Sequence, residues 1–247
     1  MATRDQQKRQ TRQAFFIAVL DVCMSGKAFS SLSLRQITRE VGVVPTAFYR
    51  HFSDMDALGN CLVEEHLGTA LAQLRTHLHV GKKRAFARQI AISVELFFKA
   101  IDKQPSYWRF IVTERYGGNA SVQRALNQQI RLFIRLLSED LGLQPAFGHL
   151  PQEVRLLIAD MGVNLFFSWV YDWLVLTHQT PPDNSKILAE NVAISATSQA
   201  ILLSCELDDT AMTLDNLEAI KSAYLKRCTR QAQLLFYGVS NWRETPL

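Results

Sequence analysis

Six histidines stand in the chain, His51, His66, His77, His79, His149 and His178, and no two fall four residues apart. That spacing is what lets one helix offer two imidazoles to a metal, so metal binding is not expected. Four cysteines, Cys23, Cys61, Cys205 and Cys228, form no CxxC pair and sit inside helical apolar patterns. They read as buried free thiols of a reducing compartment. The sequence holds no HExxH motif, no glycine-rich phosphate loop and no nucleophile–base constellation. The chemistry this chain points to is therefore binding rather than turnover. An all-helical enzyme or a helical interaction module is the alternative of a different class, and a lack of salt-dependent DNA binding would favour it.

Donors and cations are concentrated at one end. Residues 1–52 carry eight basic side chains, Arg4, Lys8, Arg9, Arg12, Lys27, Arg35, Arg39 and Arg50, against three acidic ones, Asp5, Asp21 and Glu40. The whole chain carries +4, so everything after this segment is close to neutral. A basic head on a neutral body suits a polyanionic partner. Within the head, Thr46, Tyr49, Arg50 and His51 offer planar groups and hydrogen-bond donors fit for phosphates and base edges. Arg4, Lys8 and Arg9 are either a solvated terminus or an arm laid along a nucleic-acid backbone or in its minor groove.

Two short helices must position these groups. Ser33 is an N-cap for a helix over Leu34–Val41, closed by Gly42. Pro45 opens a second, to Phe52, as a first helical residue should. Ile37, Val41 and Phe48 lock the pair, while Tyr49, Arg50, His51 and Thr46 face outward. Neither helix buries much alone, so both need a base: a helix from Gln6 to Met24 carrying Phe15, Phe16, Val19, Val22 and Cys23, and a helix capped by Ser53 that carries Leu58, Leu62, Leu67, Leu71, Leu74 and Leu78 inward. A short pair on such a base makes physical sense when the second helix must enter a groove.

Over residues 11–58 this pattern resembles the N-terminal domain of the TetR family of repressors. The landmarks are Thr11-Arg12 with Ala18-Val19, Ser33-Leu34-Arg35 with Ile37, Gly42-Val43, and Phe48-Tyr49 with His51-Phe52. The run Pro45–Gly59 (PTAFYRHFSDMDALG) and Glu114–Gly118 (ERYGG) resemble more narrowly the branch that controls unsaturated fatty acid synthesis and desaturation. The resemblance implies a homodimer that reads a palindromic operator in double-stranded DNA and responds to long-chain acyl-CoA or acyl-carrier-protein thioesters. It implies DNA contact by Arg4, Lys8, Arg12, Ser33, Leu34, Arg35, Pro45, Thr46, Ala47, Tyr49, Arg50 and His51. Two positions depart from the pattern: Ala47 stands where many members have a hydroxyl, and Met55 where many have a lysine. A regulator of drug efflux sensing another hydrophobic ligand is the alternative within the family.

Behind the head, 53–247 reads as one helical ligand-binding and dimerisation domain in an all-α protein. Expected helices run from Lys82 to Asp102, from Pro105 to Gly117-Gly118, from a cap at Asn119 to Gly142, for about 27 residues from Pro151, and from Leu214 to Trp242. Pro181–Asn184 reads as a loop and Lys186–Cys205 as a further helix, within a segment of 180–212 that is extra relative to shorter members. Aromatic density on the inward faces makes an acyl-chain tunnel plausible among Phe97, Phe98, Trp108, Ile111, Phe133, Gly162, Phe166 and Trp169. Arg115 is either an anion partner or a helix C-cap. No buried charge suited to a polar effector is foreseen. Asp160, Asn164, Ser168 and Asp172 recur every four residues on the long helix, as a solvated edge or a polar seam between subunits. Met161–Thr177 is shorter than a span of about 20 residues and carries polar groups, so a cytoplasmic protein with no signal peptide and no resident cofactor is expected.

Overall fold

The computed structural model describes residues 3–79, 86–178 and 214–240, and these are helical with short connections. In chain order the helices are α1 (Arg4–Met24), α2 (Leu34–Val41), α3 (Pro45–Phe48), α4 (Met55–His79), α5 (Phe86–Lys103), α6 (Pro105–Glu114), α7 (Ala120–Gly142), α8 (Gln152–His178) and α9 (Leu214–Ser240), with a 3-10 turn at Phe29–Ser31. Among the described residues there is no strand. The expected loop at 181–184 and helix at 186–205 lie outside the described residues.

Two compact units emerge. One holds the chain through Thr76 together with Lys103–Leu137; the other holds His77–Asp102 and the chain from Ser138 onward. In the first, α1 buries Phe15, Phe16, Ala18, Val19, Leu20 and Cys23, a stripe that repeats every three or four residues. It packs on α2 and on α6. The Phe15 ring meets Phe48 edge-on at 5.3 Å and Phe52 at 5.9 Å, which seats α3 against α1. Helix α4 enters the same unit with Leu58, Leu62, Leu67 and Leu71 buried, and α7 with Val122, Leu126, Ile130, Phe133 and Leu137. The side chains of Leu74 and Leu78 lie outside the described residues. Gly59 lets α4 approach its neighbours closely, since a Cβ there would stand 2.6 Å from Val122 and 2.7 Å from the Phe29 ring. Polar pairs join α4 to the start of α7: Asn119 donates to Asp56 at 2.8 Å, and Asn60 donates to Ser121 at 3.0 Å.

The second unit is built on aromatic packing of α5, α8 and α9. Phe98 lies 4.5 Å from Trp173 and 5.9 Å from Tyr224, and Phe97 lies 5.3 Å from Phe166. Each polar handle in this apolar volume finds a partner, as burial requires. Trp169 Nε1 donates to Gln231 at 2.8 Å, Trp173 Nε1 to Asp102 at 2.7 Å, and Tyr224 to Asp172 at 2.9 Å.

Several boundaries move from their expected places. Helix α1 starts at Arg4, because Thr3 and Gln6 form a reciprocal capping box one turn earlier than the apolar pattern reveals. Helix α3 keeps α geometry only through Phe48, and the chain then turns, with Arg50 N–H donating to Ala47 and His51 N–H to Phe48. The cap of α4 is Asp54 rather than Ser53: the Asp54 carboxylate accepts the Ala57 N–H at 2.7 Å. The apolar stretch at 161–177 belongs to a helix of 27 residues, α8, which by length and composition could span a membrane. Its hydrogen-bonded tryptophans and its packing on α9 are those of a core helix. Asp172 leaves the expected polar row, because three steps of four residues do not stay on one face. From 160 to 172 the helix turns about 120°, which exposes Asp160, Asn164 and Ser168 and buries Asp172. No buried charge suited to a polar effector is expected from the sequence, and the structure buries the carboxyl groups of Glu114, Asp140 and Asp172. Ile220 and Tyr224 are each 2% exposed within the single chain, so they are core residues and not a face left for a partner.

Candidate nucleic-acid interface

Local chemistry explains why α2 and α3 stand as they do. Ser33 Oγ accepts the Gln36 N–H at 3.2 Å and starts α2. Thr38, buried although polar, donates its hydroxyl to the Arg35 carbonyl at 3.1 Å. At the far end Gly42 takes φ 75°, while its N–H and that of Val43 fold back to the carbonyls of Arg39 and Thr38. A left-handed residue in that place reverses the chain at little cost only if it is glycine. Three residues later Pro45 starts α3 with φ already set. Ile37 and Phe48 are fully buried beneath the pair, whereas Val41 is half-buried.

What remains outward is a compact set. Thr46, Tyr49 and Arg50 are exposed, Tyr49 at 62%. Pro45, Ser33 and Arg35 are exposed too, and Leu34 and Ala47 are half-buried. Val44, 65% exposed just ahead of α3, joins them. Sequence reading passes over it, because a lone valine before a proline belongs to no helical face. The structure thus places an apolar side chain, an aromatic, a hydroxyl and a guanidinium around one helix start, which is the mixture that base edges and phosphates require.

His51 differs from its expected outward placement. It is half-buried, its ring centroid stands 5.8 Å from that of Phe15, and its Nδ1 is buried with no hydrogen-bond partner among the described residues. Burial lowers its pKa, and the positive charges of Lys8, Arg12 and Arg50 lower it further. Arg12 is itself held inside the unit: its guanidinium pairs with Glu65 and lies 4.8 Å from the Phe52 ring centroid and 5.3 Å from that of Phe16. Arg4, Lys8 and Arg9 are exposed along the first turns of α1. They ride on a helix capped by Thr3.

The residues expected to touch an effector divide between the two units. Trp108, Ile111 and Phe133 are buried in the first, where Arg115 follows α6 with its guanidinium 5.4 Å from the Tyr116 ring centroid. Phe97, Phe98 and Trp169 are buried in the second, with Phe166 half-buried beside them. Gly162 is buried in the second unit as well, and a Cβ there would look at Phe236 and Leu235 of α9, 3.8 and 3.9 Å away. Cys23 and Cys228 are buried free thiols, while Cys61 is half-buried; Cys205 lies outside the described residues. Among the described residues no group of three or more metal-ligating side chains occurs.

Residues 20–60 match the model of the bacterial regulatory proteins of the tetR family. Among solved structures the chain is similar to a TetR-family protein from Syntrophomonas wolfei, with a TM-score of 0.63 and 16% identity over 94% of this chain and 97% of that one. It is similar to the fatty acid degradation regulator FadR from Bacillus halodurans, with a TM-score of 0.60, 16% identity and the same coverages of 94% and 97%. It is also similar to NalD of Pseudomonas aeruginosa, the secondary repressor of the MexAB-OprM multidrug efflux pump, at a TM-score of 0.52 and 20% identity over 68% of this chain and 86% of that one. The fold is therefore the all-helical one of these regulators, with a tetR-type helix-turn-helix domain at its N-terminal end.

Proposed function

We propose that this chain is a ligand-responsive transcriptional regulator, a repressor that binds a palindromic operator as a homodimer and acts in the cytoplasm. One observation carries the reading. Val44, Thr46, Tyr49 and Arg50 form an exposed row around α3, and Arg4, Lys8 and Arg9 are exposed along the first turns of α1. Cations from α1 and from the end of α3 then meet phosphates on both sides of the groove that α3 enters, with residues 1–52 as the reading head. Val44 supplies an apolar contact of the kind a thymine methyl accepts. Ser33, Leu34 and Arg35 at the start of α2 lie along the backbone, and Arg4 and Lys8 extend that contact. The effector acts by population shift, moving DNA affinity by its differential affinity for two head spacings and no more.

For the effector we propose a long-chain acyl thioester, and for the regulated genes those of fatty acid synthesis or desaturation. Support comes from the runs at Pro45–Gly59 and Glu114–Gly118 and from two aromatic clusters, one with Trp108, Ile111 and Phe133 and one with Phe97, Phe98, Phe166 and Trp169. In this reading Arg115 receives the anionic head group. Each buried methylene contributes about 0.8 kcal/mol, so affinity should climb with chain length until the space is full. A second reading, an efflux-type regulator with a cationic effector, is favoured by Asp172, a buried carboxylate bonded to Tyr224, which packs with Phe98 and Trp173. Operator affinity titrated with acyl-CoAs of rising length and with lipophilic cations separates the two. A response that grows with acyl length supports the first, and a response to cations alone supports the second.

A further inference from the structure

The carboxyl group that closes α6 sits in an unusual place. Glu114 is 1% exposed, and its Oε1 accepts the Phe29 N–H at 2.8 Å. Phe29 opens the 3-10 turn that leads into α2, and the first N–H of such a turn has no partner within the turn. Its ring stands 5.9 Å from that of Phe110, so the turn is gripped by α6 twice, once through an apolar edge and once through the carboxyl group. The other oxygen, Oε2, is buried with no hydrogen-bond partner among the described residues. The chain after α6 closes tightly over it: a Cβ at Gly117 would lie 2.5 Å from Oε2 and 3.0 Å from the Glu114 Cα. Gln123 of α7 holds that closure by donating to the carbonyls of Gly117 and Arg115, at 2.8 and 3.4 Å.

We propose that Glu114 is the positioning residue by which α6 sets the seat of the α1–α2 pair, and that the seat is firm when the carboxyl group carries its proton and loosens when it does not. Among the described residues, burial and the Phe29 N–H, not a cation, set the state of this group. Cys23 of α1 is the titratable side chain nearby, and burial pushes its thiol up to about 12, so it stays neutral at ordinary pH. Gln123 is neutral, and the Arg115 guanidinium lies over the Tyr116 ring. Burial raises the Glu114 pKa, and the Phe29 N–H offsets this only in part. The folded chain thus binds this proton more tightly than the unfolded one, so the contribution is present at low pH and declines as pH rises above the ordinary glutamate range. A protonated carboxyl group keeps Oε1 as acceptor; an ionised one leaves a buried charge with a single N–H to answer it.

The link to operator affinity rests on the DNA-binding reading above, but the seat itself can be tested without DNA. The measurement is hydrogen-exchange protection of the Phe29 amide in the full chain, from about pH 5 to about pH 8 and corrected for intrinsic exchange. Protection in the parent should fall with pH, by at most about tenfold per pH unit, the limit for one proton. Glu114→Gln keeps an acceptor oxygen and cannot ionise, so its profile should be flat. Gly117→Ala pushes the carboxyl group out of its place, and should lower protection at every pH and remove the slope. If Glu114→Gln does not fold, the parent and Gly117→Ala decide by themselves. A parent profile without slope, or one parallel to that of Glu114→Gln, would overturn the proposal. A chain that shows the Phe29 profile yet binds no DNA would sink the DNA reading and leave the seat standing.

Discussion

Tyr49 and Arg50 owe their exposure to Phe48 and Phe52, which bury the opposite side of the same turn against Phe15. Removing either outward side chain should therefore leave the fold intact while weakening operator binding by about 1–3 kcal/mol, the worth of one good base contact. Thermal melts and equilibrium binding of Tyr49→Ala and Arg50→Ala check both halves of that statement. His51 and His66 make a second prediction. Burial lowers both pKa values from 6.5, so the unfolded chain binds these protons better and stability falls as pH drops below that value. The His66 ring packs against those of Phe16 and Tyr107, so His66→Phe should remove one of the two contributions and make the acid side of the Tm–pH profile less steep. Residue types were legible here, but the status of individual residues was not. Tyr49 and Arg50 could be assigned outward from their neighbours. His51 could not, because its burial depends on Phe15, 36 positions away, and the pairing of Arg12 with Glu65 spans 53 positions, which no periodicity encodes.

Helix α2 is closed by Gly42 at φ 75° with nothing within 4 Å of a Cβ, so Gly42→Ala meets only backbone strain, about 1–2 kcal/mol. Gly59 is the opposite case. Its backbone is helical, but Val122 and Phe29 fill the space, so Gly59→Ala overpacks the junction of α4 and α7 and should cost about 1–3 kcal/mol. Gly162 in α8 has room for a methyl group against α9, and Gly162→Ala should stabilise by about 0.5–1 kcal/mol through helix propensity. Chemical denaturation of the three variants tests this ordering. An indole at 162 would instead run into Phe236 and Leu235, so tryptophan there reports on helix packing and not on an acyl chain. Helices were legible wherever an apolar stripe met a capping residue, as at Ser33–Gly42 and Asn119. The misplaced ends are at Arg4, where a capping box of Thr3 and Gln6 precedes the apolar pattern, at Asp54, where two candidate caps adjoin, and at Phe48, where the chain leaves α geometry for hydrogen-bonded turns.

Across the whole molecule, α8 and α9 leave Leu157, Met161, Tyr171, Leu234 and Tyr237 exposed beside Asn164 and Ser168. This face, rather than Ile220 and Tyr224, is what the proposed homodimer would cover. Met161→Glu combined with Leu234→Glu should give a folded monomer by sedimentation, whereas Ile220→Glu should unfold the chain, because that side chain is already covered within it. The apolar excess of α8 was plain in the sequence, yet which part faces α9 and which stays outward depends on pairs such as Trp169 with Gln231, separated by 62 positions. The central claim, that 1–52 is a DNA-reading head, is tested most directly by the affinity of the full chain for the duplex it selects from random DNA, measured against salt concentration. The account predicts a palindromic duplex and a log–log slope that steepens by about 0.9 for each phosphate neutralised, and a shallower slope for Lys8→Ala. An affinity independent of salt, or equal slopes for parent and Lys8→Ala on a duplex with no repeated half-site, would contradict it.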